Sequence, residues 1–193
     1  MITHSVIFTD SILEIDGGVL PLDCPRQERL NYIYANYLDD YPRFFRMDAL
    51  CKLGHIASEL LIKQDMKGKG DISLAYDVES NAHDTAVILF CNTGSLVSDC
   101  QYETVLYQKK PCAGDFVYTL PNIVAGEIAI RNGFKGPTAM YLLNRKDLKL
   151  IETIVQTSKL AEEISSVLYG WIDLESDVRY EADFLLTNYK KIL

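Results

Sequence analysis

The stretch Thr119–Asp147, TLPNIVAGEIAIRNGFKGPTAMYLLNRKD, contains a predicted helix, a turn and a strand in unbroken succession. Pro121 suits the first turn of a helix, because its missing N–H would have no partner there. Asn132-Gly133 is typical of a helix end, and Gly136-Pro137 is typical of a turn. Thr138–Leu143 then has the composition of a short buried strand. Since chemistry in α/β proteins usually lies where a strand leads into a helix, the residues after this strand are the ones that decide the function.

The length and composition of the chain are those of one globular domain. The chain has 193 residues, of which 48% are hydrophobic and 24% charged, as is usual for a single domain. Its formal net charge of −8 argues against a nucleic-acid partner, because phosphate contacts need clustered Lys and Arg. The same charge would not steer an acidic carrier protein towards it. No apolar run is long enough to span a bilayer and the first sixteen residues lack signal-peptide features, so we expect a cytoplasmic protein.

Cysteine and glycine spacing predicts no disulfide framework, metal site or cofactor. The five cysteines are odd in number and include no C-x-x-C pair, so most are expected to be small buried hydrophobes. The turn Asn92–Ser95 could hold a phosphate at a helix start. It has one glycine and no lysine, however, which excludes a P-loop and a dinucleotide fingerprint.

Hydrophobic periodicity predicts an α/β protein. The predicted strands are His4–Thr9, Asp84–Asn92, Thr138–Leu143, Ser165–Leu174 and Tyr180–Thr187, with a hairpin or wide turn at Ile12–Leu20. The predicted helices are Arg46–Gln64, Ser95–Gln108, Pro121–Asn132 and Asp147–Glu163. The order is therefore strand, helix, strand, two helices, strand, helix, strand, strand, which predicts a single, mostly parallel five-stranded sheet with helices on its faces.

The segment Asp23–Tyr41 is predicted to be irregular. Its tyrosines could form a surface binding patch, but packing of the segment onto the domain is the more common arrangement. These tyrosines are Tyr32, Tyr34, Tyr37 and Tyr41.

Seven residues of the central stretch share the spacing of a known signature: Asn122, Ala125, Gly126, Ile130, Gly133, Gly136 and Pro137. They resemble, without a gap, the N-x-x-A-G-x-x-x-I-x-x-G-x-x-G-P signature of β-ketoacyl-acyl-carrier-protein synthases of the thiolase superfamily. The segment FFRMDALCKLGHIASELLI also resembles the first helix of these synthases, less specifically. The resemblance implies a thiolase-like half-fold, and therefore a single β-ketoacyl synthase N-terminal-like domain over residues 1–193. Gly126 lies inside a predicted helix, where glycine lowers stability by about 1 kcal/mol relative to alanine unless a neighbouring backbone must come close.

In the family this resemblance implies, the strand after Gly-Pro ends in a turn whose cysteine accepts the acyl chain. Arg145, preceded by Asn144, stands at that position here, and a guanidinium cannot form a thioester. The second half of the family fold supplies the catalytic histidines, and none of His4, His55 and His83 corresponds to them. We therefore expect no catalytic residue.

Other groups offer weaker candidates for chemistry. Cys91 and Cys100 flank the turn after the second predicted strand, where a thiol near a helix start can be activated, but a buried structural role is favoured. Asp99 and Glu103 lie one helical turn apart and could act as acid and base. Exposed carboxylates on helices are too common for this pair to count as evidence. His55 lies within a predicted helix, where a satisfied histidine is expected rather than a ligand.

The resemblance implies a non-catalytic synthase-like protein, acting as an accessory or chain-length-factor-like subunit in fatty-acid, polyketide or aryl-polyene-type biosynthesis. The alternatives are a divergent binding or regulatory module unrelated to lipid synthesis, and an enzyme with a relocated site. The implied partners are an acyl carrier protein or an active ketoacyl synthase. Family synthases dimerise by pairing the strand after Gly-Pro, so Thr138–Leu143 is the expected edge for a homodimer or heterodimer. The helix that follows is predicted to face solvent or a polar partner with Lys149, Glu152, Gln156 and Lys159.

Overall fold

The computed structural model describes residues 2–68, 85–108, 110, 112–161 and 164–188. Within them the strands are β1 (Ile2–Thr9), β2 (Leu13–Ile15), β3 (Gly18–Leu20), β4 (Thr85–Cys91), β5 (Thr138–Leu142), β6 (Ser166–Ser176) and β7 (Arg179–Asn188). The helices are α1 (Arg29–Tyr37), α2 (Ala49–Gly68), α3 (Leu96–Tyr107), α4 (Ala113–Val117), α5 (Ile123–Asn132) and α6 (Leu148–Ala161). Short 3₁₀ turns at Arg26–Glu28 and Pro42–Arg46 precede α1 and α2.

The strands form one mixed sheet in the order β3-β2-β1-β7-β6-β4-β5. Among the described strands, only β4 pairs in parallel, with β5 on one side and β6 on the other, and the remaining pairs are antiparallel. The prediction of five mostly parallel strands was therefore wrong in number and in direction. The hairpin turn at Asp16-Gly17, where both φ angles are positive, adds β2 and β3. The β6–β7 connection is too short for a crossover, so β7 returns antiparallel and accepts β1 beside it.

Helices cover both faces of the sheet. On the first face, α2 and α5 pack over alternate strand residues such as Val87, Leu89 and Phe184, which form the larger core. On the second face, α6 inserts Ile151 and Val155 against a smaller apolar cluster, which contains Ala86, Ile88, Phe90, Val167 and Trp171. Every residue of β4 is buried, which confirms the prediction that this strand is central and covered on both sides.

Helices α2 and α5 approach closely at Gly54. A Cβ added there would lie 2.3 Å from Val124 Cγ2, so only glycine allows α5 to sit at this distance. Gly133 ends α5 in the left-handed conformation, with φ of 65°, as the Asn-Gly pair predicted. The close contact fixes the position of α5 and of the strand that follows it.

The predicted irregular segment Asp23–Tyr41 contains a helix, α1, which was missed because its tyrosines and asparagines are weak helix formers. Tertiary packing stabilises it: the Tyr34 ring stacks on Phe44 with 3.9 Å between ring centroids. The other three tyrosines are partly buried against the same core, at Tyr32, Tyr37 and Tyr41. The packing interpretation of these tyrosines is therefore confirmed.

The prediction that α6 faces solvent on one side is also confirmed where the structure describes side chains. Lys149, Glu152 and Gln156 are exposed, while the side chain of Lys159 lies outside the described residues. In the described part of the chain, no helix is both long enough and apolar enough to cross a membrane.

Candidate functional site

The carboxyl ends of the parallel strands β6, β4 and β5 meet at one edge of the sheet, which is where α/β folds place their ligands. This edge is formed by the turn Asn92–Ser95 after β4, the segment Leu143–Arg145 after β5, and Asp173 on β6. We call it the carboxyl edge and treat it as the candidate functional site.

Four motif residues position β5 relative to β4 and α2. Ala125 is buried against the core and Gly133 ends the helix. At Gly136 a Cβ would lie 2.4 Å from the Thr85 carbonyl oxygen, so this glycine lets the chain pass directly over β4. The Gly136 N–H donates to the Thr85 carbonyl at 3.1 Å, and the Pro137 carbonyl accepts from the Val87 N–H at 2.9 Å. The motif thus has a structural purpose that does not depend on catalysis.

The other three motif residues face outward. Asn122 is exposed at the start of α5 and its side chain makes no capping hydrogen bond. A Cβ added at Gly126 would meet no atom within 4 Å, and the Ile130 side chain is 60% exposed. No close neighbour in the described part of the chain therefore explains the glycine at this position.

Arg145 and Asn144 lie in a bend directly after β5, and both are exposed. The backbone before them is held firmly: the Leu143 N–H donates to the Cys91 carbonyl at 2.8 Å, and the Asn92 side-chain amide donates to the Leu143 carbonyl at 2.9 Å. The structure brings Asn144 and Arg145 to the carboxyl edge, next to the turn after β4. A cation, and no nucleophile, stands at this position.

Asp173 was not identified from the sequence, although an acid in the apolar run Trp171–Leu174 is a recognisable signal. Its carboxylate accepts hydrogen bonds from the Thr93 N–H at 2.9 Å, from the Thr93 hydroxyl at 2.8 Å and from the Asn92 N–H at 3.2 Å. Two amides of the turn, those of Asn92 and Thr93, are therefore already bound to a carboxylate. A phosphate at this turn would also meet the negative charge of Asp173, so the structure argues against the predicted phosphate site.

Lys146 anchors the segment after Arg145 to β7. Its ammonium lies 2.6 Å from Glu181 Oε1 and 2.6 Å from Asp183 Oδ2. Burial opposes the charged form, but hydrogen bonds to Asp183 and Glu181 outweigh it and raise the pKa of Lys146. This ammonium therefore stays protonated near neutral pH and holds the segment in place. It does not release a proton to a substrate and cannot act as a base.

The other acids near this edge are also paired. A cleft of about 330 Å³ opens beside the end of β6, lined by Asp10, Glu175 and Glu181 together with Thr9, Ser11, Asp173, Arg179 and Tyr180. Asp10 pairs with Arg26 at 3.2 Å and Glu175 pairs with Arg179 at 3.0 Å. The cleft is polar, and its lining acids are largely compensated by neighbouring cations.

The two candidate thiols do not form a reactive centre. Cys91 is completely buried at the end of β4, and burial raises the pKa of its thiol, which disfavours the reactive thiolate. Cys100 is exposed on α3, as are Asp99 and Glu103 on the same helix. The structure does not place any of these thiols or carboxylates next to Arg145 together with a base.

The two histidines that the structure describes, His4 and His55, lie away from the carboxyl edge. His4 Nδ1 lies 2.8 Å from Asp16 Oδ2, near the β2–β3 hairpin. His55 is buried on α2, and among the described residues neither of its ring nitrogens has a hydrogen-bond partner, so the expectation of a satisfied histidine was wrong. His83 lies outside the described residues. Within the described ranges, no three His, Cys, Asp or Glu side chains are grouped to hold a metal ion.

The fold and this edge define a thiolase-like α/β half-fold. The structure of the ishigamide ketosynthase/chain length factor matches it with a TM-score of 0.66 and 17% identity, over 100% of this chain and 62% of that chain. The ketosynthase ApeO in complex with its chain length factor ApeC, from Xenorhabdus doucetiae, matches with a TM-score of 0.60 and 12% identity, over 97% of this chain and 77% of that chain.

This chain therefore spans less than two thirds of the length of the first of these structures. No protein-family profile and no curated protein sequence matches it. At such low identity the similarity establishes the fold, which agrees with the resemblance carried by the central motif.

Proposed function

We propose that this protein is a non-catalytic β-ketoacyl synthase-like subunit, of the accessory or chain-length-factor type, in fatty-acid, polyketide or aryl-polyene-type biosynthesis. The observation that carries the proposal is the exposed Arg145 at the carboxyl edge, at the end of a strand that the synthase motif positions. The motif residues support the fold, but the segment they position presents a guanidinium where acyl transfer would need a thiol.

The surroundings of Arg145 support the absence of acyl transfer. Asp173 binds the Asn92 and Thr93 amides of the neighbouring turn, Cys91 is buried, and Lys146 is held by two carboxylates. Acyl transfer needs a nucleophile, a base within hydrogen-bond reach of it and hydrogen-bond donors for the oxyanion. Among the described residues, the carboxyl edge does not bring these three groups together.

The edge strand β5 supports a role in assembly. It was predicted to be buried, but its residues are exposed or half-buried, because it is the last strand of the sheet in the part of the chain that the structure describes. Its edge position is compatible with the predicted role of Thr138–Leu143 in forming a homodimer or heterodimer. Both structures of similar fold contain a ketosynthase and a chain length factor. A half-fold with a free edge strand and no nucleophile suits the supporting subunit of such a pair.

The proposal is tested by capture of the tagged protein from its native cell, followed by mass spectrometry. We expect recovery of a ketosynthase that carries the active-site cysteine. Recovery of neither a ketosynthase nor an acyl carrier protein would contradict the proposal. That result would favour the alternative, a divergent binding or regulatory module. Arg145 and the bonds between Asp173 and the turn after β4 are equally compatible with this alternative.

A matched pair of variants locates the contact. Leu142 on β5 and Leu148 on α6 are each 60% exposed, so neither side chain is needed for the core. Leu142→Asp places a charge on the edge strand and is expected to lower ketosynthase recovery at least about tenfold, since an unpaired interfacial charge costs more than 1 kcal/mol. Leu148→Asp is expected to leave recovery unchanged. Equal recovery with both variants would show that β5 is not the contact.

A further inference from the structure

A cleft of about 320 Å³ opens between the start of α2, α3 and α4. We call it the α2–α3 cleft. Two of its lining side chains are almost completely covered, since Met47 is 4% exposed and Ser98 is 8% exposed. Tyr102 and Val105 of α3 add aromatic and apolar surface. A concave surface with apolar walls and a few polar groups is the usual form of a small-molecule site, and this one includes no residue of the carboxyl edge or of β5.

One carboxylate ties the two helices of the cleft together. Asp48 accepts a hydrogen bond from the Cys51 N–H at 2.9 Å, which caps α2, and another from the Ser98 hydroxyl at 2.5 Å, which links α2 to α3. Each bond uses a different oxygen of the carboxylate, and each oxygen can accept a second bond. Asp48 is therefore held in a fixed position in the lining of the cleft and can still accept hydrogen bonds from a ligand.

Two opposite charges line the α2–α3 cleft without forming an ion pair. Arg46 directly precedes Met47 at the start of α2, Asp115 lies on α4, and both are exposed. Neither takes part in an ion pair within the described ranges. In the cleft beside the end of β6, by contrast, Asp10 and Glu175 are each paired with an arginine. The α2–α3 cleft thus offers a ligand a free cation and a free anion.

Three uncharged polar side chains of the cleft also lack hydrogen-bond partners among the described residues: Gln101, Tyr102 and Tyr118. Burial, and then the charge of Glu127, raise the pKa of Tyr118, so its hydroxyl stays neutral near pH 7. A neutral phenol can both donate and accept a hydrogen bond, as can the amide of Gln101. These groups can bind a polar ligand without adding further charge.

The charge balance of the cleft favours an ammonium together with an anion. Asp48 and Asp115 line it, and the charges of Asp48 and of the nearby Glu127 both reach Tyr118. Glu127 is 6% exposed, and its Oε2 has no partner among the described residues, although its Oε1 pairs with Arg43 at 3.1 Å. These carboxylates attract a positive group, while Arg46 attracts a carboxylate.

We propose that the α2–α3 cleft binds a small zwitterion, an α-amino acid with an aliphatic side chain. Arg46 binds the carboxylate of the ligand, and Asp115 and the free acceptor sites of Asp48 bind its ammonium. Met47 and Val105 contact the aliphatic side chain. Both free charges of the cleft are then paired, which a simple amine or a simple carboxylic acid does not achieve.

A titration followed by amide NMR tests the ligand class on the purified 193-residue chain. We expect L-leucine to bind with a Kd of about 1 mM or lower and to shift the backbone amides of Gln101 and Tyr102. Two analogues of the same shape should bind at least about tenfold more weakly, because each leaves one charge of the cleft without a partner. They are 3-methylbutylamine, which lacks the carboxylate, and 4-methylpentanoate, which lacks the ammonium.

Two results of this titration would overturn the proposal. The first is the absence of any shift at these amides with about 20 mM L-leucine, a concentration well above the expected Kd. The second is equal affinity for L-leucine and either analogue, which would mean that the cleft does not recognise a zwitterion.

Matched variants test the site itself. Arg46→Gln and Asp115→Asn change exposed side chains, so folding should be intact, and each should weaken L-leucine binding at least about tenfold. Arg46→Gln should also lose the preference for L-leucine over 3-methylbutylamine, an effect that general damage to the cleft would not produce. Arg179→Gln, at an exposed arginine of the other cleft, is the control and should leave binding unchanged. Unchanged L-leucine affinity in both cleft variants would overturn the site.

This inference does not rest on the function proposed above. Binding of L-leucine that depends on Arg46 and Asp115 supports the inference even if capture recovers no ketosynthase. Recovery of a ketosynthase, in turn, does not rescue the inference if the amino acid fails to bind.

Discussion

Gly136→Ala should lower the free energy of unfolding by about 3 kcal/mol, whereas Gly126→Ala should leave it unchanged or raise it by up to about 1 kcal/mol. At position 136 the new Cβ would lie 2.4 Å from the Thr85 oxygen and 2.9 Å from the Ala86 nitrogen. These are backbone atoms of the central strand β4, which cannot move aside as a flexible side chain can. The measurement is equilibrium denaturation in urea, with the free energy of unfolding compared at equal m-values.

The two glycines form a matched pair because both belong to the same motif. Position 126 has no atom within 4 Å of an added Cβ, so alanine there changes only helix propensity. Equal destabilisation by both variants would mean that the close approach to β4 is not the reason for glycine at position 136. The expected difference would show that contacts within the chain require glycine at position 136 and do not require it at position 126.

His55→Phe should make the protein more resistant to acid, by up to about 3 kcal/mol near pH 4. His55 is 1% exposed and its ring stacks on Tyr41 with 5.3 Å between ring centroids. Burial, and then the charge of Arg131, lower the pKa of His55 from 6.5 to about 4. Phenylalanine keeps an aromatic ring at this position and cannot take up a proton.

The sign follows from proton linkage. The unfolded chain protonates this histidine below about pH 6.5, while the folded protein resists protonation until about pH 4. The wild type therefore loses stability progressively as the pH falls through this window, and each pH unit costs at most about 1.4 kcal/mol. Above about pH 7 both states hold a neutral ring and the contribution is zero.

Other titratable groups face the same buried region and must be separated from His55. Glu59 pairs with Arg131 at 3.1 Å, and burial raises the pKa of its carboxyl, which gives stability the opposite dependence on pH. Glu127 pairs with Arg43 at 3.1 Å. The wild type and the variant both retain these groups, so the difference between their unfolding free energies isolates the histidine. Parallel stability curves for wild type and His55→Phe across the acid range would contradict the prediction.

At the carboxyl edge, the residues that maintain the fold can be told apart from the residues that would carry out chemistry. Gly136, Pro137 and Gly133 hold β5 against β4 for reasons of packing and hydrogen bonding, so they are useful whether or not chemistry follows. The residues after the strand have no such structural constraint, because Asn144 and Arg145 are exposed in a bend. A motif of this kind therefore predicts the fold more strongly than it predicts activity.

Several elements could be predicted from the sequence because their signal is local. The apolar period of α2, the continuous apolar run of β4 and the Asn-Gly end of α5 each depend on neighbouring residues only. Helix α1 could not be predicted, since its stability comes from Tyr34 stacking on Phe44, a contact outside the helix itself. The role of Asp173 depends on two strands that are distant in sequence, so no local pattern contains it.

The sequence by itself determined the alternation of strands and helices, the spacing of the synthase-like motif and the presence of Arg145 after the strand that follows this motif, because spacing and residue type carry this information. Only the tertiary structure decided that the apolar strand β5 lies at an edge, that β1 and β7 turn the sheet from parallel to mixed, and that Gly126 faces open space. An apolar strand has the same composition whether it is covered by neighbours of its own chain or by another protein. Which of these covers it depends on the pairing order of the whole sheet, and that order is a property of long-range contacts.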